Sequence, residues 1–358
     1  MTHPVPPLPT TTIAPPSGDP FHSSGQSPGV RTLHLLGPGA VGSAFLQQLT
    51  GLPVRTVAIS DSSATVFDRN GVAVDSVLRH KAAGGALASL PRTERIPSEL
   101  AVRVVAADIV VDCTPTRAAD TQLAVARGRA ALQNGSFLAL CGKNALAAQV
   151  PEWLLGAFRG RVGVHAVLGG AGQQLVRELL DLREHASSLA LVGNVTTTVL
   201  VAAIERGASL EAGIGDATAR GLLEPDPTLD LDGSDAATKL LLTWGAVFGE
   251  SWQQPRTLAA VSRQDIRSLD VELVRQRARR GATTRLVARG SRAGNDLRVA
   301  YEEVPAGSPL AAPPDRVVYG YELPQGLRVH TGLAVGHERT AAALLDDVRA
   351  FLRAEVRS

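Results

Sequence analysis

The stretch "GLLEPDPTLDLDGSDAATKLLLTW", Gly221 to Trp244, packs Glu224, Asp226, Asp230, Asp232 and Asp235 into one turn-rich run and then opens into a helical pattern. Asp235 and Lys239 are four residues apart, which puts both side chains on one helical face. A solvated ion pair is the ordinary reading of such a pair. Here, however, Lys239 runs straight into "LLLTW", and a lysine in so apolar a helix is partly desolvated unless it snorkels or lines a cleft. A calcium loop does not fit, because aligning Asp230, Asp232 and Gly233 to one places Thr228 at the first ligand and Lys239 at the closing acid.

A second lysine, Lys143, stands in "LCGKNALA", directly after the predicted strand "SFLALC". Two lysines converging at one sheet edge could bind an oxygen on which negative charge develops, each lowering the other's pKa toward the range of proton transfer. Taken alone, Lys143 reads equally well as an exposed loop residue.

"LHLLGPGAVGSAF", Leu33 to Phe45, carries the other chemical signal. Gly37, Gly39 and Gly42, with Ala40 and Val41 between them, follow a predicted strand and enter a predicted helix, the context in which a G-x-G-x-x-G pattern indicates a dinucleotide site. Gly37 permits the tight turn, Gly39 lets backbone approach a pyrophosphate, and Gly42 allows close helix–strand contact; the anion then meets the free N–H groups of the helix start. The next strand, "VRTVAIS", ends at Asp61, where a carboxylate would accept hydrogen bonds from a ribose 2′-hydroxyl and repel a 2′-phosphate. That favours NAD over NADP, although Arg55 and Arg69 could serve a phosphate and Asp61-Ser62-Ser63 could be only a polar loop. "DCTPT", Asp112 to Thr116, ends a third strand, so Thr114 and Pro115 either border the nicotinamide ribose or form an ordinary strand-to-helix turn.

Positioning these groups requires two kinds of architecture. From Thr32, the short apolar runs "TLHLLG", "RTVAIS", "DIVVDC" and "SFLALC" alternate with helical stretches such as "AVGSAFLQQL" and "TQLAVARGRAALQ". That pattern predicts an α/β domain over residues 31–150, a Rossmann-type doubly wound parallel sheet covered on both faces. A second, α+β domain follows over 151–330. It has strands at "VGVHAVLG" and "SLALVGN", helices over Thr197–Arg206, Leu210–Leu222, Ser234–Phe248 and Arg263–Arg279, and then period-2 runs that predict a largely antiparallel sheet. Residues 331–358 have helical spacing and are expected to pack back on the nucleotide domain. The opening 1–30, dense in Pro, Ser and Thr, reads as a disordered tail.

Composition bounds the partners. The 358 residues are 44% hydrophobic, ample for a core, and the formal charge of +2 with scattered arginines argues against a nucleic-acid partner and for a small polar or zwitterionic substrate. Cys113 and Cys141 each end an apolar run and read as reduced core thiols without metal-ligand spacing. No run is long and apolar enough to predict a membrane span, and no signal-peptide pattern opens the chain, so the cytoplasm is the expected compartment.

Together the glycine loop, "DCTPT", "GKNALA" and the run from Glu224 to Lys239 resemble homoserine dehydrogenase, and "GHERTAAALLDDV" is similar to that family's closing helix. The resemblance covers roughly Thr32 onward, without regulatory or kinase domains. It implies reversible hydride transfer with NAD or NADP between L-homoserine and L-aspartate 4-semialdehyde, and a homodimer. By position, it assigns Glu224 and Asp230 to the substrate's amino group and neighbouring polar atoms, Asp235 and Lys239 to catalysis, and Lys143 as the other active-site lysine. Two segments depart from the family pattern. "HAVLGGAGQQ" has His165 or Ala166 where the family has a cation-ligating glutamate, and Gln173 or Gln174 where it has a proline, so no metal is expected. "GNVTTT", Gly193 to Thr198, replaces "NGTTNY" near the substrate. These changes keep open a related amino-acid semialdehyde as substrate, or a nucleotide-binding regulatory protein without turnover.

Overall fold

A computed structural model describes residues 29–91, 93–94, 96–143, 160–219, 223, 227–249, 257–294, 296–333 and 336–355. Most of the expected N-terminal tail and the candidate residue Glu224 lie outside the described residues.

The first sheet is built from β1 (Arg31–Leu36), β2 (Val54–Ser60), β3 (Thr65–Phe67), β4 (Thr93–Glu94), β5 (Ile109–Asp112), β6 (Phe137–Leu140) and β7 (Val162–Gly163). Its order is β4-β3-β2-β1-β5-β6-β7, with β2, β1, β5, β6 and β7 parallel and β3 and β4 antiparallel at one edge. β5 and β6 are buried at every position, as continuous apolar runs must be when helices cover both faces. Helices α1 (Ala40–Gln48), α2 (Val74–Ala82), α3 (Ser98–Val105) and α4 (Thr121–Gln133) supply much of that cover. β1 leads through α1 to β2 on one side, while β5 lies on its other side. The order therefore reverses between β1 and β5, and a ligand cleft is expected beyond their C-terminal ends.

The second half contains α5 (Gly172–His185), β8 (Ser188–Val192), α6 (Val195–Glu205), α7 (Leu210–Ala219), α8 (Thr228–Leu231), α9 (Ser234–Phe248), β9 (Ser262–Arg263), α10 (Val271–Arg279), β10 (Ala282–Ser291), β11 (Arg298–Pro305), β12 (Val317–Leu323) and β13 (Gly326–Gly332). Its sheet runs β13-β12-β8-β10-β11-β9 and is antiparallel except where β9 joins β11. Last among the described elements, α11 (Gly336–Glu355) returns to the first sheet, where Phe351 stacks on Phe137 with ring centroids 4.7 Å apart. Ala341, Leu344 and Val348 of α11 join Leu33, Leu35 and Phe45 in one buried cluster. Asp347, on the same helix, accepts from the backbone N–H of His165 at 2.9 Å. Burial, with no cation bonded to it among the described residues, pushes its carboxyl up to about 7.

Two expected elements differ. The strand expected through "VGVHAVLG" stops at Gly163 because the chain turns over His165–Gly170, where Gly169 and Gly170 take φ of +61° and +87°, conformations that favour glycine. The helix expected over Arg263–Arg279 begins only at Val271, capped by Asp270, whose side chain accepts from the N–H of Leu273. Arg263 instead pairs in β9, and Asp265 caps a short 3-10 turn between them. Two aspartates each capping a separate turn divide what periodicity alone reads as one helix.

Candidate active site

A cleft of about 360 Å³ opens where the two sheets meet, lined on one side by Ala40, Val41, Thr114, Pro115 and Lys143 and on the other by Asn194, Asp230, Asp235 and Lys239. The glycine loop forms the floor of the first side. Gly37 has φ +81°, and a Cβ there would stand 2.7 Å from the carbonyl oxygen of Cys113; a Cβ on Gly42 would stand 2.2 Å from the carbonyl oxygen of Gly37. Those two glycines serve the close approach of β1, β5 and α1. Gly39 differs, because a Cβ there would meet nothing within 4 Å. Among the described residues no atom explains its lack of a side chain, and it caps α1 without a side-chain hydrogen bond or an acidic residue in the first turn. Open backbone at an uncapped helix start fits the pyrophosphate of a nicotinamide dinucleotide.

Asp61 has another task. It begins the hairpin turn joining β2 to β3, where its N–H bonds the carbonyl of Ala64. Its Oδ1 accepts from Ser63 N, Ser63 Oγ and Ala64 N, and its Oδ2 accepts from Lys81 Nζ at 2.9 Å and Leu87 N at 3.1 Å. Partial burial would raise its pKa, but these donors outweigh burial and hold the carboxyl well below the usual range. A carboxylate offers about four lone-pair sites, so little accepting capacity remains for a ribose. Arg55 is the second residue of β2 and Arg69 follows the antiparallel β3, so both lie toward the opposite sheet edge from the cleft.

Thr114 is likewise engaged within its own loop. Its hydroxyl donates to Asp112 Oδ1 at 2.5 Å and accepts from Arg127 Nη2 at 2.7 Å, and both guanidinium donors Nε and Nη2 reach Asp112 Oδ2 at 3.2 Å. This buried ion pair braces the "DCTPT" turn, with Thr114 and Pro115 remaining on the cleft wall.

The opposite wall grows from the start of α9. Gly233 takes φ +78°, a left-handed turn, and Asp232 accepts from the N–H of Ser234, which sends Asp235 into the first helical turn. Lys239 follows one turn later, 7% exposed, and donates to Asp235 Oδ2 at 2.9 Å and to the Gly193 carbonyl at 2.5 Å. Gly193 makes room for it, since a Cβ there would come within 3.3 Å of Lys239 Cδ. Lys143 reaches across from the loop after β6 and pairs with Asp235 Oδ1. The two catalytic lysines and the aspartate proposed from the sequence therefore meet in one cluster.

Asn194 was not singled out as a site residue in the sequence. Its side-chain nitrogen donates to Asp230 Oδ1 at 2.7 Å and Asp235 Oδ2 at 3.0 Å, while its oxygen caps α6 by accepting from Thr197 N at 2.8 Å. The cap fixes which way the amide faces, so its two N–H donors have to point at the carboxylates. The available signal was a polar residue directly before a helix and directly after a strand. Thr196 Oγ1 adds a 3.1 Å donor to Asp230 Oδ2. Gly336, His337 and Thr340, at the start of α11, complete the cleft near α1.

Charge is distributed unevenly here. Asp235 is 4% exposed, and its burial alone would raise its pKa, yet Lys143 and Lys239 hold it well below the usual carboxylate range. Lys239 is lowered, chiefly by burial and further by Lys143, with Asp235 opposing. Asp230 is raised, first by burial and then by Asp235. The buried anion between two ammonium groups keeps both in place and opposes proton release, but burial and Lys143 outweigh it and leave Lys239 readier to lose its proton.

Comparison with known proteins adds two family matches. Residues 175–348 match the model of homoserine dehydrogenase, and residues 23–133 match that of glutamate/leucine/phenylalanine/valine dehydrogenase. A homoserine dehydrogenase of Methanocaldococcus jannaschii is 27% identical over 300 residues, 82% of this chain and 88% of that protein. An NAD(+)-dependent homoserine dehydrogenase of Pseudomonas canavaninivorans is 25% identical over 340 residues, 88% of this chain and 94% of that one. Among solved structures, a hyperthermophilic archaeal homoserine dehydrogenase in complex with NADPH superposes with a TM-score of 0.71 at 22% identity, covering 90% of this chain and 98% of the other. The homoserine dehydrogenase of Thermoplasma acidophilum gives 0.72 at 22% identity, covering 90% and 99%. These structural likenesses confirm the two-sheet fold with its Rossmann-type nucleotide half.

Proposed function

From its similarity to homoserine dehydrogenases we infer that this chain belongs with them and interconverts L-homoserine and L-aspartate 4-semialdehyde with NAD or NADP. The observation that carries the reading is the Lys143–Asp235–Lys239 cluster facing the glycine loop across one cleft. The nicotinamide supplies or accepts the hydride. In reduction, Lys239 and Lys143 stand where the carbonyl oxygen gains negative charge, and Lys239, its proton loosened by burial, releases it to that oxygen. In oxidation the neutral amine of Lys239 takes the hydroxyl proton, so the forward rate rises with pH toward a midpoint below the ordinary lysine value. Asp235 holds both ammonium groups in register. Asp230, oriented by Asn194 and Thr196, receives the substrate's amino group, with Glu224 assigned to the same task.

Asp61 spends one oxygen on its own hairpin turn and the other on Lys81 and Leu87, so it supplies little discrimination between NAD and NADP. The same reading includes a homodimer and a cytoplasmic site of action. Leu327, 43% exposed on the edge strand β13, offers an apolar side chain there, and sedimentation would test pairing through that edge. Among the described residues no helix is long and apolar enough to cross a membrane.

Reduced-nicotinamide absorbance, followed with L-homoserine and each of NAD and NADP, tests the activity. Turnover is expected to fall by about 10³-fold in Lys239→Ala, the scale of removing a group that both transfers a proton and stabilises charge. Nucleotide binding without turnover of homoserine or of other hydroxy-amino acids would overturn the reading.

A further inference from the structure

Cys113 directly follows β5 and Cys141 directly follows β6. The two strands are parallel and paired as far as Asp112 opposite Leu140. Cys141 N donates to the Asp112 carbonyl at 2.9 Å, closing that last pair, so the cysteines are the next residues on neighbouring strands and their thiols meet. Both pack against the core of the nucleotide half but are only half-buried, both line the cleft, and their side chains hydrogen-bond to each other.

We propose that Cys113 and Cys141 form a modification site at the base of the nucleotide cleft, a dithiol that a small disulfide converts to an intramolecular disulfide. Neighbouring strands run about 4.8 Å apart, inside the roughly 4.4–6.8 Å between α-carbons that a disulfide spans. The hydrogen bond to Cys141, burial and the charge of Asp112 all push the Cys113 thiol up. The thiolate of one cysteine displaces one thiol from the small disulfide and forms a mixed disulfide; the other cysteine then loses its proton, attacks that sulfur and releases the second thiol. The protein gives up two electrons and two protons, and the small disulfide becomes two thiols.

The consequence for the site follows from what the two loops carry. Cys113 precedes Thr114 and Pro115, and Cys141 precedes Gly142 and Lys143. The loops already touch, with Lys143 N donating to Thr116 Oγ1 at 3.3 Å and a Cβ on Gly142 meeting the Thr114 carbonyl at 3.0 Å. The glycine loop rests on the Cys113 carbonyl beside Gly37. Drawing the two sulfurs into a bond therefore shifts one wall of the cleft and moves Lys143 relative to Asp235.

The test incubates the full chain with oxidised glutathione. Cys113 and Cys141 are the chain's only two cysteines, so closure is read as loss of both titratable thiols, a mass lower by two hydrogens, and a peptide linking the two positions. Affinity for reduced nicotinamide nucleotide, followed by its fluorescence, is expected to fall at least about tenfold, the scale on which small displacements of positioning groups act, and to return with dithiothreitol. Cys113→Ser and Cys141→Ser, each compared with itself, should show no change in affinity on oxidation beyond that of a single glutathione adduct. Thiols that stay titratable, a linkage between two chains, or a closed disulfide that leaves nucleotide affinity unchanged would each overturn the proposal. Because the readouts are mass and nucleotide binding, they stand apart from whether homoserine is turned over.

Discussion

Asp61, in the nucleotide half, and Asp235, on the cleft wall, are both aspartates bonded to a lysine ammonium at 2.9 Å and held below the usual carboxylate range. Their other donors differ. Asp61 is held by backbone N–H groups of Ser63 and Ala64, which fix the β2–β3 turn, and of Leu87, which ties that turn to a later one, and none of them titrates. Asp235 is held by the side chains of Lys143, Lys239 and Asn194, two of which carry transferable protons. A carboxylate ringed by backbone works as a fastener, whereas one ringed by titratable side chains can take part in chemistry. Asp347 gives a third setting, buried with no cation bonded to it among the described residues, and there the acid is pushed up to about 7.

The contrast is broken most strongly at Asn194. Asn194→Ala removes the donors shared by Asp230 and Asp235, and turnover should fall by roughly 10–100-fold with nucleotide affinity nearly unchanged, the magnitude expected when reacting groups lose their positioning. Steady-state kinetics with separate titration of nucleotide and homoserine measures it, and an equal loss in nucleotide affinity would assign Asn194 to the fold. Asp61→Ala should leave the ratio of NAD to NADP activity unchanged and instead cost about 2 kcal/mol of stability, from orphaned N–H donors in the hairpin. A shift of that ratio toward NADP would return Asp61 to the ribose.

Asp347→Asn should have the smallest effect on turnover and show itself in stability alone. The native pKa of Asp347 is raised above its unfolded value, so the native state binds the extra proton between about pH 4 and pH 7. Wild-type stability from this group is present below pH 4 and lost as pH rises to 7. The variant keeps an acceptor for His165 N and carries no charge, so its melting temperature should exceed the wild type at pH 8 and approach it at pH 4. An advantage of the same size at both pH values would refute this account.

Much of this organisation is legible in the chain. The glycine loop, the strands "DIVVDC" and "SFLALC", and the helix Ser234–Phe248 emerge from periodicity and turn residues, because each is fixed by local rules. Lys143, Asp235 and Lys239 could be named from an apolar context around charged residues, though nothing in their spacing shows that they meet. Asp61 shows the limit, since an acid at the end of a second strand has the same local sequence whether a helix or a hairpin follows. Cys113 and Cys141 show another, because apolar runs mark where a strand is buried but not the residue at which it emerges into a cleft. Both outcomes depend on strand pairing, which is a property of distant segments.

α11 is joined to the nucleotide half in space but comes after the whole second sheet in the chain. During synthesis, the face of the first sheet that Leu344 and Val348 will cover, with Leu33, Leu35 and Phe45 beneath, has no partner until the second half has been made. The nucleotide half therefore cannot mature as an N-terminal unit ahead of the rest, and a nascent chain stalled before Gly336 presents an apolar surface of the kind chaperones hold.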